Sequence, residues 1–291
     1  MSTNRPPLRI AALHDLSCFG RCALTVIIPT LSAMGYQVVP VPTALLSTHT
    51  GGFTDLHFRD LTADMTRISE HFSRLSLSFD ALYTGFLGSA EQIDCVIGIL
   101  EQFGTEAEHK PLILVDPVIG DDGEPYSTYT PELIRGMKRV SRHAQILTPN
   151  LTEACFLTDT PYQNTALFPI EQALAFAENL LQSLRSEYGA LTVITGISLC
   201  DGRVANLGVD ENGRQFLVCR QNQAVSYPGT GDLFASVLLG DYLTHRSFAR
   251  ATETAADFIG EVIAYSAGID TPQREGVALE PLLWKLTPHH D

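Results

Sequence analysis

Segments of strand character and segments of helix character take turns along most of this chain, and that alternation limits its fold more than any other feature. Arg9–His14, Val38–Val41, Ala81–Thr84, Leu112–Val115, Gln145–Leu147 and Leu191–Thr195 are short apolar runs suited to buried strands. Between them lie Ala23–Met34, Leu61–Leu75, Glu91–Phe103 and Ile170–Tyr188, whose apolar residues recur at three- and four-residue spacing. Leu61, Met65, Ile68 and Phe72 show that spacing in the second of these helices. Arg203–Val209 and Gln215–Cys219 then form a hairpin around Asn212-Gly213, and Leu233–Leu243 and Ala249–Ala267 close the chain as helices. A strand, a helix and another strand in repetition give a mostly parallel central sheet with helices on both faces. The expected class is α/β. No internal repeat or linker interrupts residues 1–291, so one domain is expected, with the early connecting loops as a small lid.

A formal net charge of −14 argues against general nucleic-acid or anionic-membrane binding. It leaves room for a nucleotide, because a small phosphate site needs only local N–H groups and a metal. No apolar run approaches the roughly 20 residues that span a bilayer, and Met1–Pro7 lacks the apolar core of a signal peptide. A cytoplasmic protein is expected. The six cysteines are scattered without a Cys-x-x-Cys pair, and read as thiols in a reducing compartment.

The polar motifs all follow strand-like runs, so they are expected to converge where open α/β sheets bind ligands. Gly229-Thr230-Gly231-Asp232 opens the helix before Leu233. Glycines allow a tight turn and close approach of a ligand to the backbone, and a helix N-terminus favours a phosphate. Asp232 is either a helix cap or a group that removes a proton beside the anion. Asp116-Pro117-Val118-Ile119-Gly120-Asp121 follows the strand Leu112–Val115. Its carboxylates suit Mg²⁺, which uses one or two of them with phosphates and waters, or else bond their own turn. In Thr148-Pro149-Asn150-Leu151-Thr152-Glu153, Asn150 and Glu153 have capping-box spacing. That role is compatible with contact to a metal's water shell. Asp15, in His14-Asp15-Leu16-Ser17, is placed to bond a hydroxyl or ring nitrogen, or to cap a turn. Ser47–Gly52 reads as a polar loop, and Phe86 as an aromatic that could lie against a flat ring.

No Walker phosphate loop, dinucleotide fingerprint or Gly-x-Ser-x-Gly elbow is present. Taken in order, the five segments Ser47–Thr50, Thr84–Ser89, Asp116–Asp121, Thr148–Glu153 and Gly229–Asp232 resemble the pyridoxal kinases of the ribokinase-like superfamily. The likeness runs from about Ile10 to Tyr265. It implies ATP-dependent phosphorylation of the 5′-hydroxymethyl group of vitamin B6 vitamers on a ribokinase-like fold, commonly in a homodimer. Carried over, Asp232 matches the base, and Gly229, Thr230 and Gly231 its anion hole. Asp116 and Glu153 match positions near Mg²⁺ and the ATP phosphates, with Asn150 beside them. Asp121, Tyr129, Thr148 and Thr195 match the nucleotide side, and Thr50 and Phe86 the pyridine pocket. Phe86 stands where the family usually has Tyr. Asp15 stands where it usually has Ser, which brings that segment closer to hydroxymethylpyrimidine kinases. Those relatives usually carry Cys where this chain has Asp232, which favours the vitamer substrate. Three alternatives stay open at this point: a hydroxymethylpyrimidine kinase, a vitamer- or nucleotide-binding module without catalysis, and a sugar or nucleoside kinase of the same fold.

Overall fold

The computed structural model describes residues 6–105, 110–223 and 225–288. Met1–Arg5, part of the Met1–Pro7 stretch that lacks the apolar core of a signal peptide, lie outside them. The first half of the chain forms β1 (Arg9–Leu13), β2 (Leu16–Phe19), α1 (Leu24–Ala33), β3 (Gln37–Pro40), β4 (Ala44–Thr48), β5 (Phe58–Asp60), α2 (Thr62–Arg74), β6 (Ala81–Thr84), α3 (Ala90–Leu100) and β7 (Leu112–Val115). There follow β8 (Gly120–Asp121), β9 (Glu124–Pro125), α4 (Pro131–Ser141), β10 (Ile146–Leu147), α5 (Leu151–Leu157), α6 (Ile170–Tyr188), β11 (Leu191–Ser198), β12 (Arg203–Val209), β13 (Gln215–Gln221), α7 (Thr230–His245) and α8 (Phe248–Gly268).

Eight strands make one sheet in the order β13-β12-β11-β10-β7-β6-β1-β3. Every pairing from β3 to β11 is parallel, and β12 with β13 adds an antiparallel hairpin at one edge. This is the α/β arrangement expected. Its cause is visible in β1, where Ile10 and Ala12 enter one core while Ala11 and Leu13 enter the other. Successive side chains point to opposite faces, so an all-apolar strand needs cover on both. Helices α2–α6 pack into the core on one face, and α1, α7 and α8 into that on the other.

Three differences from the sequence reading have local causes. Helix α4 was not expected; Thr130 caps it by accepting the Leu133 N–H at 3.2 Å, and Pro131 opens it. Ser47 and Thr48, read as loop, end strand β4, which pairs with β2 and β5 in a separate three-stranded sheet. Alternation decides this: Ala44 and Leu46 are buried while Ser47 is exposed. Strand β11 continues past Thr195 to Ser198 through a bulge, with Gly196 at φ 69°.

Because β1, β6, β7 and β10 run the same way in adjacent register, Leu13, Thr84, Val115 and Leu147 finish at one edge of the sheet. Asp15, Phe86, Asp116 and Thr148 come one or two residues later in the chain.

Candidate active site

Helix α7 begins at Thr230 behind Gly229, which sits at φ 80°. A side chain at Gly229 would place its Cβ 2.1 Å from the carbonyl oxygen of Arg21, so the two backbones meet at a distance only glycine permits. The Leu233 N–H bonds the Gly229 carbonyl at 3.0 Å. The preceding amides, from Thr230 to Asp232, have no carbonyl one turn back to receive them. Thr230 anchors the turn by donating its hydroxyl to the Tyr227 carbonyl at 3.1 Å.

Asp232 lies in this first turn. Its Oδ2 accepts the Ala23 N–H at 2.8 Å. Burial pushes its pKa up to about 7, helped by the nearby charge of Asp15, while the Ala23 amide acts in the opposite sense. Asp15 is buried, accepts the Ser17 hydroxyl at 2.9 Å, and is pushed up to about 6, mainly by burial. The two aspartates hold consecutive amides of one turn, since Leu24 N–H donates to the Asp15 carbonyl at 3.2 Å. His14, before Asp15, is fully buried with its ring edge-on to Tyr83, and burial holds its pKa down to about 3. It is a neutral ring packed inside the core.

Asp116 follows β7, and its Oδ2 lies 3.9 Å from where a Cβ on Gly231 would be, so it faces the glycine turn. The Thr148 hydroxyl donates to its Oδ1 at 3.3 Å. Burial raises the pKa of Asp116, and the charge of Asp232 adds to this. The capping box at α5 is complete: Glu153 N–H donates to Asn150 Oδ1 at 2.9 Å, and Asn150 N–H to Glu153 Oε2 at 2.8 Å. Glu153 also accepts the Ile119 N–H through Oε1 at 3.1 Å, and Asn150 donates to the Gly120 carbonyl at 2.9 Å. The cap therefore pins the Asp116–Asp121 loop to α5. Burial raises the Glu153 pKa well above the usual range, and Asp116 raises it further.

Around this centre, Phe86 meets Tyr129 edge-on at 6.0 Å, and Tyr129 accepts the Leu87 N–H at 3.5 Å. Thr195 donates its N–H to the Pro149 carbonyl at 2.9 Å, next to Asn150. Asp121 accepts the Asp122 N–H at 3.0 Å, and burial raises its pKa. Thr50 lies in the loop between β4 and β5; among the described residues no hydrogen bond joins it, Asp121 or Thr195 to the Asp232 turn. Sequence reasoning overlooked a second ring of contacts. His49 Nε2 bonds the Arg274 carbonyl at 2.7 Å, and the Arg274 guanidinium lies over the Phe53 ring. Arg21 pairs with Glu280 at 2.7 Å. These residues are hundreds of positions apart in the chain, and no local pattern links them.

Residues 10–276 match the phosphomethylpyrimidine kinase family. The chain belongs to this family. It is 29% identical over 302 residues to a pyridoxine/pyridoxal/pyridoxamine kinase from Bordetella avium, covering 98% of this chain and 96% of that one. A protein from Bacteroides thetaiotaomicron VPI-5482 described as a phosphomethylpyrimidine kinase, solved in a crystal form with pyridoxal, is 36% identical with a TM-score of 0.88, covering 98% of each chain. Pyridoxal kinase from Lactobacillus plantarum is 30% identical with a TM-score of 0.85, covering 96% of each. The fold is ribokinase-like, and this family member is a kinase. Among the described residues no helix is long and apolar enough to cross a membrane.

Proposed function

We propose that this kinase transfers the γ-phosphoryl group of ATP to the 5′-hydroxymethyl group of pyridoxal, pyridoxine or pyridoxamine, with Asp232 as the base. The observation that carries the reading is a carboxylate poised near pH 7, in the first turn of a helix whose amides lack helical partners. Asp232 takes the hydroxyl proton as the oxygen bonds to the γ-phosphorus, and the bond to the β-phosphate oxygen breaks to release ADP. The amides of the Gly229–Gly231 turn and the helix dipole stabilise the charge on the transferring group. A carboxylate base and an N–H cradle suffice, because phosphoryl transfer chiefly demands positioning and charge stabilisation.

The charged groups that act on Asp116, Glu153 and Asp232 are all carboxylates. Among the described residues no group of three or more ligating side chains gathers, so the two carboxylates Asp116 and Glu153 would share a divalent cation with phosphate oxygens and water. Mg²⁺ held near Asp116 and Glu153, partly through water, would neutralise phosphate oxygens of ATP. Both Glu153 oxygens already accept backbone N–H groups, so its share is that of an orienting carboxylate. Asp121, Tyr129, Thr148, Asn150 and Thr195 are assigned to the nucleotide side, and Asp15, Thr50 and Phe86 to the vitamer pocket. A single domain, with the β2-β4-β5 sheet as its lid, and a cytoplasmic homodimer complete the reading. The pyridoxal bound by the Bacteroides relative supports the choice of vitamer.

A coupled assay with pyridoxal, pyridoxine, pyridoxamine and hydroxymethylpyrimidine tests the substrate. Preference for the pyrimidine would reject the vitamer reading, and ATP binding without transfer would reject the kinase mechanism. Asp232→Asn should lower kcat by ~10²–10⁴-fold with ATP binding intact.

A further inference from the structure

We infer that the backbone amide of Ala23, held in a conformation that suits glycine, is the element that positions the Asp232 carboxylate for reaction. The inference rests on Asp232 being the base, as proposed above. Ala23 has φ 47° and ψ −131°, a region that residues with a Cβ avoid. It precedes α1 at the N-cap, where Ser, Thr, Asp or Asn would normally satisfy an orphan amide, and it makes no side-chain cap bond. The position is used for backbone geometry instead.

Its N–H reaches Asp232 Oδ2 at 2.8 Å across 209 residues of sequence. Among the described residues this is the hydrogen bond given to that carboxylate, so Oδ1 is the oxygen left for a substrate hydroxyl. The positive φ sets the angle between the Ala23 amide and the helix that follows, and an ordinary φ would turn that amide off Asp232. Strain of this kind persists only where the surroundings over-determine it, and here they do. Leu24 N–H is held by the Asp15 carbonyl at 3.2 Å, and Arg21 N–H by the Glu275 carbonyl at 3.0 Å. Cys22 N–H donates to Thr25 Oγ1 at 3.2 Å, and that hydroxyl donates to the Cys22 carbonyl at 2.7 Å. On the other side Gly229 abuts the Arg21 carbonyl. The N-termini of α1 and α7 are thus locked together, and Ala23 is the link that ends on the reacting carboxylate. It is a positioning residue.

The deciding variant replaces residue 23 by L-lactic acid, giving a backbone ester that removes the N–H and keeps the methyl group. We expect kcat to fall roughly 10- to 100-fold, the usual scale for a hydrogen bond to a charged group, with the KM for ATP within about twofold of wild type. In an Asp232→Ala background the same ester should change turnover less than about twofold, because no side-chain oxygen is left there to accept the amide. Ala23→Gly and Ala23→Val read the same turn without the ester. Glycine should raise the melting temperature and turn over faster than valine, which has no comfortable conformation at that φ. A wild-type kcat in the ester variant, equal losses in both backgrounds, or a valine variant as fast as glycine would overturn the inference. Asp232→Asn that retains turnover would instead remove the base assignment on which the inference stands.

Discussion

Gly229→Ala is the perturbation whose outcome follows most directly from the geometry. The new methyl group would stand 2.1 Å from the Arg21 carbonyl oxygen, whereas ordinary contact begins at 3.4 Å, so the two backbones must separate by about 1.3 Å. Arg21 has little freedom to retreat. Its N–H is bonded to Glu275, its guanidinium to Glu280, and its carbonyl already faces Gly276 at a distance that would leave an added Cβ only 2.5 Å away. The N-terminus of α7 must therefore shift, carrying Gly231 and Asp232 with it. A displacement of that size at a reacting centre costs ~10²-fold in rate, or about 2.7 kcal/mol of barrier. Stability falls too: the φ of 80° adds about 1 kcal/mol for a residue with a Cβ, and overpacking adds about 1–3 kcal/mol. Steady-state turnover and calorimetric melting of the purified variant measure both effects. Gly231→Ala is the internal control, because its Cβ meets only Asp116 Oδ2, at 3.9 Å. That variant should melt as wild type does and still lose turnover, because the methyl group intrudes on the phosphate cradle. A Gly229→Ala enzyme with wild-type kcat and Tm would refute the reasoning.

The rate kcat/KM should rise with pH through about 7, since Asp232 must be ionised to accept a proton and burial holds its pKa there. Asp15→Asn removes the neighbouring charge and should move that limb to lower pH; a limb that stays put would separate the two aspartates. The folded pKa of Asp232 lies above its ordinary 3.8, so stability falls as pH rises between these values, and the loss is complete above about 7. Asp232→Asn should accordingly melt above wild type at pH 8, with a much smaller gap at pH 5. Equal melting of the two at pH 8 would show that the buried charge carries no such penalty. Asn150→Ala loses the α5 cap at about 1 kcal/mol and frees the Gly120 carbonyl. A lower Tm and a raised KM for ATP are expected, and an unchanged KM would detach the cap from nucleotide binding.

Much of the fold and part of the site were legible in the sequence because their causes are local. The alternating faces of β1, the helical spacing of α6 and the turn residues of the β12–β13 hairpin are each written within a few residues. So are the Asn150–Glu153 cap and the Gly229–Asp232 turn, since glycine conformations and helix ends are short-range matters. The sheet formed by β2, β4 and β5 was harder to read, because Ala44–Thr48 and Phe58–Asp60 are short and gain strand character from each other. Ala23 was read as the start of a helix. Nothing near it in the chain announces a positive φ, because the cause is Asp232 on one side and Glu275 and Glu280 bracing Arg21 on the other. The sequence alone determined which carboxylates and glycines were available and that parallel strands would carry several of them to one edge. Only the tertiary structure decided how they meet. The close approach of Gly229 to Arg21, the amide on Asp232 and the raised carboxylate pKa all come from packing segments that lie far apart in the chain against one another.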